Sequence, residues 1–182
     1  MNIQKLGIDK TWTLFLDRDG VINNKRDNDY VKTWDEFEFL PGVLDALKEL
    51  SKIFGKIIIV TNQRGIAKGL YTEEDFAHIT VNMLDEIEDA GGRIDWVFYC
   101  PHMGSEPECN CRKPKPGMGL KAKNKFPAIG FSNTIMVGDS ASDIEFGKTL
   151  GMTTIQVNYI DEYPADFHFR SLNHFSTTLF DK

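Results

Sequence analysis

The chain has 182 residues, 41% of them apolar and 26% charged, and a formal net charge of −6; that suits one globular domain with a sizeable core. The acidic balance argues against nucleic acid or an anionic membrane as the main partner. No stretch approaches the roughly 18 apolar residues of a membrane-spanning helix, and the polar N-terminus is unlike a secretory signal, so a cytoplasmic protein is expected.

In chain order, an apolar run at 12–16 predicts a strand that stops abruptly at Asp17-Arg18-Asp19-Gly20. The polar stretch 23–38 is too short for a domain and reads as a flap near the two acids, with Asp27-Asn28-Asp29 its most turn-like part. Pro41-Gly42 introduces a helix carrying Val43, Leu44, Leu47, Leu50 and Phe54 at helical spacing, ended near Gly55. The β-branched run 56–60 predicts a strand covered on both faces, leading into Thr61-Asn62-Gln63-Arg64-Gly65. Thr72 caps a helix whose buried stripe is Phe76, Ile79, Met83 and Ile87, and Gly91-Gly92 stop it. A third strand is predicted at 95–100, then a Cys/His loop and a helix from about Met118. A strand at 134–137, a turn Gly138-Asp139-Ser140, a helix at 142–150 and a strand at 153–157 follow. An edge strand at 165–169 and a last helix capped by Ser171 complete the series. For His78, His168 and His174 the sequence alone points to no partner, and they read as structural or surface groups. Alternating strands and helices, without a repeat or linker, predict one α/β domain over 1–182. Its expected architecture is a doubly wound, Rossmann-like parallel sheet with helices on both faces.

The chemistry collects at strand ends. Alone, Asp17-x-Asp19-Gly20 is a common surface turn. In a doubly wound sheet, however, Asp17 and Asp19, Thr61 and Asn62, and Asp139 with Asp143 fall along one edge, and Lys113 lies in a loop after a further strand. Carboxylates, a hydroxyl and a lysine in one crevice suit a hard cation such as Mg²⁺ beside a phosphate. Paired carboxylates allow one to attack phosphorus while the other protonates the leaving oxygen.

All three cysteines sit within a dozen residues, in Cys100-x-His102-x6-Cys109-x-Cys111. Three thiolates and an imidazole match a closed, structural zinc site; the alternative is a free-thiol loop with an unrelated histidine. Pro101, Gly104, Pro107 and Asn110 leave little else to order the loop, so Zn²⁺ would present Arg112 and Lys113 rigidly.

Asp17-Arg18-Asp19-Gly20-Val21, Thr61 after its apolar strand, Lys113, and Gly138-Asp139 followed by Asp143 resemble, in order, the four motifs of the haloacid dehalogenase superfamily of phosphatases. The resemblance implies that Asp17 is a nucleophile forming an aspartyl-phosphate and that Asp19 is the general acid, then the base. It implies that Thr61 and Lys113 hold the phosphoryl group, and that Asp17, the Asp19 backbone carbonyl and Asp139 ligate Mg²⁺. Asp143 is expected to support the site from behind or from a helix N-terminus. Cys-Pro-His at 100–102, Cys-x-Cys-Arg-Lys-Pro at 109–114 and the run from Thr61 to Gly69 resemble two groups in this superfamily, the D,D-heptose 1,7-bisphosphate phosphatases and the histidinol-phosphate phosphatases. The Gly65-Ile66-Ala67-Lys68-Gly69 wording is closer to the heptose group; the short x6 spacing in the cysteine loop is closer to the histidinol-phosphate group. Ser140 departs from the lysine or arginine that often follows the motif aspartate.

By resemblance, substrate contacts would come from Asp27, Asn28, Asp29 and Tyr30 in the flap, from Thr61, Asn62, Gln63 and Arg64, and from Arg112 and Lys113. No segment is long enough for a large cap domain, so an open site is expected. The leading expectation is a Mg²⁺-dependent phosphatase, acting as a monomer on a small phosphorylated metabolite, a heptose 1,7-bisphosphate ahead of histidinol phosphate. A sugar-phosphate-binding module without catalysis would typically have lost Asp17 or Asp19, and both are present.

Overall fold

A computed structural model describes residues 2–26, 28–158 and 163–180; the expected flap contact Asp27 lies outside the described residues. Among the described residues, six strands form one parallel sheet: β1 (Thr13–Leu16), β2 (Lys56–Asn62), β3 (Trp96–Cys100), β4 (Thr134–Gly138), β5 (Thr153–Gln156) and β6 (Phe167–His168), in the order β3-β2-β1-β4-β5-β6. The chain winds outward from β1 through β2 to β3, then crosses back to place β4 on the other side of β1. The order therefore reverses at the tips of β1 and β4, where open α/β sheets leave a crevice.

Strand side chains alternate between two buried layers. Leu14, Leu16, Ile57, Ile59, Ile135 and Val137 join one core with α1 (Val43–Ile53), α3 (Glu73–Asp89) and α6 (Leu172–Phe180). Phe15, Ile58, Val60 and Met136 point to the other, under α4 (Gly117–Lys125) and α5 (Ala141–Leu150). Burial on both faces explains why the strands read as continuous apolar runs instead of alternating ones. Register levels the strand tips: Leu16 lies opposite both Ile59 and Val137, so the residues that follow each emerge side by side. Among the described residues no helix is long and apolar enough to cross a membrane.

Several boundaries differ from those read in the sequence. β2 runs on through Thr61 and Asn62, which keep parallel pairing with Tyr99 and Cys100 despite their polarity. The expected edge strand at 165–169 shrinks to Phe167–His168, because the Asp166 carboxylate instead takes the Thr154 amide and hydroxyl. A single-turn helix, α2 (Arg64–Ala67), occupies what reads as a glycine-rich turn. The flap is a tied loop: the Asn24 amide donates to the Glu38 carbonyl, and Arg26 pairs with Glu36 across it at 2.9 Å. At its base Trp34 stacks on Phe37 and Phe39 meets both rings edge-on, all three against the core.

Candidate active site

At the reversal point the Asp17 amide donates to the Val137 carbonyl at 3.0 Å, continuing the β1–β4 ladder one residue beyond the strand. Gly20 then turns the chain with φ of +92°. A Cβ there would lie 2.3 Å from Asp139 Oδ2, so glycine is what lets Asp139 approach the Asp17–Asp19 turn.

Lys113 enters from the loop after β3 and is almost wholly buried. Its ammonium donates to the Val60 carbonyl at 2.7 Å and lies 2.9 Å from Asp17 Oδ1, with Asp143 Oδ1 as its third partner. Burial would pull the Lys113 pKa down, but Asp143 and Asp17 outweigh it and hold it above the ordinary value. Asn62 fixes the lysine backbone from both sides, accepting from its amide at 3.0 Å and donating to its carbonyl at 3.2 Å. The cis Lys113–Pro114 peptide follows directly.

Burial, with Asp143, Asp139 and Asp19 nearby, pushes Asp17 up to about 7 in spite of Lys113. Asp19 behaves oppositely. Burial would raise it, yet the Arg18 guanidinium and hydrogen bonds from Asn23 and Gln63 hold it below the usual carboxylate range. Arg18 itself is buried, 2.8 Å from Asp19 Oδ1 and with its guanidinium 5.5 Å from the Phe76 ring centroid, which makes it a prop behind Asp19. Two neighbouring carboxyls thus sit in environments that push their proton affinities in opposite directions.

Asp17, Asp139 and Asp143 each offer an oxygen within 4.8 Å of the others. Asp143 is already committed: Oδ1 to Lys113, and Oδ2 to the Ser140 amide and hydroxyl, the capping box that opens α5. Asp139 Oδ1, by contrast, is buried without a hydrogen-bond partner, and Oδ2 takes the Lys25 ammonium at 2.8 Å. An all-oxygen set with one orphaned carboxylate oxygen fits a hard divalent cation held by Asp17 and Asp139.

Asp17, Asp19, Lys113 and Asp143 border a cleft of about 280 Å³, and Asp29, Tyr30, Asn62 and Arg112 line it with them; Asp139 lies just outside the lining. Other expected contacts lie elsewhere. Thr61 and Gln63 are buried behind the cleft, where the Gln63 amide is used by protein partners. Asn28 sits exposed in a left-handed turn, with φ of +57°, outside the lining, and Arg64 likewise does not border the cleft. Lys25, Arg26 and Ser142 border it without having been singled out from sequence. The one available signal was the Lys25-Arg26 pair, two cations beginning a flap otherwise rich in acids.

The Cys/His loop adjoins Lys113. Cys100 Sγ lies 3.7 Å from Cys109 Sγ, and Cys109 Sγ 3.6 Å from Cys111 Sγ. His102 Nδ1 lies 3.6 Å from Cys100 Sγ and 3.2 Å from Cys111 Sγ. Metal–sulfur bonds of ~2.3 Å at tetrahedral angles give sulfur–sulfur edges of about 3.7 Å, so the four donors fit a tetrahedral metal ion. The surrounding loop is otherwise irregular; the Glu106 carboxylate accepts from the Met103 and Gly104 amides and closes its outer turn. His78, exposed beside Asn82, and His174, which accepts from the Arg170 amide, stand apart from both sites.

The chain is similar to known proteins over most of its length. Residues 110–161 match the HAD-hydrolase-like family model. The chain is 42% identical over 147 residues to the D-glycero-beta-D-manno-heptose-1,7-bisphosphate 7-phosphatase of Vibrio cholerae, covering 78% of this chain and 77% of that one. It is 38% identical over 170 residues to the D-glycero-alpha-D-manno-heptose-1,7-bisphosphate 7-phosphatase of Campylobacter jejuni, covering 93% and 95%. The fold superposes with a TM-score of 0.84 and 29% identity on the D,D-heptose 1,7-bisphosphate phosphatase of B. bronchiseptica, solved with magnesium and phosphate, over 93% of this chain and 98% of that one.

Proposed function

This chain belongs to the haloacid dehalogenase-like phosphatases, and we propose that it hydrolyses one phosphomonoester of a heptose 1,7-bisphosphate through an aspartyl-phosphate on Asp17. The observation that carries the reading is the pair of unequal carboxylates at one strand tip, with the buried Lys113 ammonium 2.9 Å from Asp17 and three donors fixing Asp19.

Asp17, the Asp19 carbonyl and Asp139 would hold Mg²⁺, which supplies positive charge against the phosphoryl oxygens and favours ionised Asp17. Asp17 attacks phosphorus as the ester P–O bond breaks, and Asp19 gives its proton to the leaving sugar oxygen. The negative phosphoryl group beside Asp19 raises its proton affinity, which equips a carboxyl held low in the free protein for the acid step. Asp19 then takes a proton from water, whose oxygen attacks the phosphorus and releases inorganic phosphate and Asp17. Lys113 holds the phosphoryl oxygens; Thr61 Oγ1, just behind the cleft, accepts from Gln63 and keeps its own proton to donate toward them. Arg112, with Nη1 buried and unpartnered, offers a forked donor set to a second anionic group. Cys100, His102, Cys109 and Cys111 would hold a structural Zn²⁺, with no open position for chemistry.

Residues 1–182 are read as one phosphatase domain acting as a monomer. Relatives named for the alpha and the beta anomer match at similar identity, which leaves both as substrates to try. The short cysteine-loop spacing keeps histidinol phosphate as the second reading. The deciding experiment is phosphate release from both heptose 1,7-bisphosphate anomers and from histidinol phosphate, with Mg²⁺ and with EDTA. Mg²⁺-dependent release from a bisphosphate is expected; folded protein that turns over none of the three would overturn the proposal.

A further inference from the structure

Gln63 reads in the sequence as a substrate contact, but in the fold its amide spans three protein groups. Nε2 donates to Asp19 Oδ2 at 3.0 Å and to Thr61 Oγ1 at 2.8 Å, and Oε1 accepts from the Tyr71 hydroxyl at 2.6 Å. The two oxygens of Asp19 are held differently: Oδ1 by Arg18 and Asn23, Oδ2 by Gln63. A primary amide swaps donor and acceptor ends with little steric change, so its orientation is set by its partners. Tyr71 anchors the acceptor end. Burial pushes its phenol above the ordinary pKa, so it stays a donor at working pH.

The Tyr71 ring has a shaped seat. It packs over Gly65, where a Cβ would fall 2.1 Å from Tyr71 Cε1 and 3.0 Å from Tyr30 Cγ. Its centroid is 6.1 Å from that of Tyr30, the ring bordering the cleft. Tyr71 therefore reaches Gln63 from a fixed position although it does not line the cleft.

We propose that Tyr71 is a positioning residue: by anchoring the Gln63 amide, it fixes the Asp19 carboxylate and the Thr61 hydroxyl relative to Asp17. The inference rests on the phosphatase reading, which gives Asp19 and Thr61 their roles.

The test compares wild type with Tyr71→Phe, Gln63→Met and the double variant, measuring kcat, KM, the Mg²⁺ midpoint and thermal unfolding. Tyr71→Phe should lower kcat about tenfold, the worth of one buried hydrogen bond, and leave KM and the Mg²⁺ midpoint within about twofold. Gln63→Met should lower kcat by about a hundredfold, the scale of a small misplacement of reacting groups. The double variant should be no slower than Gln63→Met, because Tyr71 acts only through that amide. Stability should go the other way. Each single variant strands a buried polar group, whereas the double removes both and should regain Tm while kcat stays low. A wild-type kcat in Tyr71→Phe, additive losses in the double, or kcat recovering together with Tm would overturn the inference. Wild type that releases no phosphate would instead overturn the phosphatase reading and this inference with it.

Discussion

The cleft and the cysteine loop meet at Cys111-Arg112-Lys113, yet they are ordered by opposite means. In the cleft, protein charges hold one another: Lys113 lies between Asp17 and Asp143, Arg18 grips Asp19, and the paired tips of β1 and β4 fix the backbone at Asp17. In the loop, three thiols and an imidazole converge with no helix or strand between Cys100 and Gly117. Charge networks on a sheet edge are preorganised by the fold. A loop of converging soft ligands is organised by what it binds. The first should survive metal removal and the second should not.

The most severe break of the cleft is Asp17→Asn. The amide is a poor nucleophile, and phosphate release should fall about 10⁴-fold or more, with the folded state retained by circular dichroism. Asp143→Ala tests whether the charge network is structural. It leaves the Lys113 ammonium buried with one carboxylate fewer, at a cost of about 3–5 kcal/mol, read as a Tm lower by roughly 10 °C. Cys111→Ser is the matching break in the loop. Bound zinc should fall to a trace by elemental analysis, limited proteolysis should open the 100–111 segment, and Tm should drop by about 5 °C. Full zinc content in that variant would show that the cluster is not the metal site.

A pH experiment sharpens the contrast. Asp17 rises from an ordinary 3.8 to about 7 in the fold, so between those values the native state keeps a proton that the unfolded chain has lost. Stability from this group is present below pH ~4 and is lost as pH rises past ~7. Mg²⁺ competes with that proton, so the rise in Tm on adding Mg²⁺ should be larger at pH 8 than at pH 6; an equal rise at both would count against Asp17 as ligand. The smallest effect is expected from Lys25→Met. The residue is exposed, so Tm should stay within about 1 °C. Removing the ammonium from Asp139 should lower the Mg²⁺ midpoint by about twofold to threefold, by titration.

The doubly wound sheet was legible because both-face burial writes β-branched runs, and the helices because their stripes and caps, such as Thr72 with Asp75, follow local rules. Asp17, Lys113 and Asp139 were legible because they directly follow such runs or flank the cysteine motif. What sequence could not separate is lining from support. Asn62 and Gln63 are adjacent, yet the first faces the cleft from the end of β2 while the second, at the cap of α2, enters a buried network closed by Tyr71, eight residues on. Lys25 was missed because only the third dimension brings position 25 to position 139.

Gly20 carries no functional group, yet a single methyl there would collide with Asp139 in a turn that already demands a positive φ. In a saturation mutagenesis survey scored on activity, position 20 should therefore be as intolerant as position 17. Its neighbour Val21, fully buried but conventional in its packing, should accept other aliphatic side chains. Mutational constraint in this molecule would then trace the space that the acids need as closely as the acids themselves.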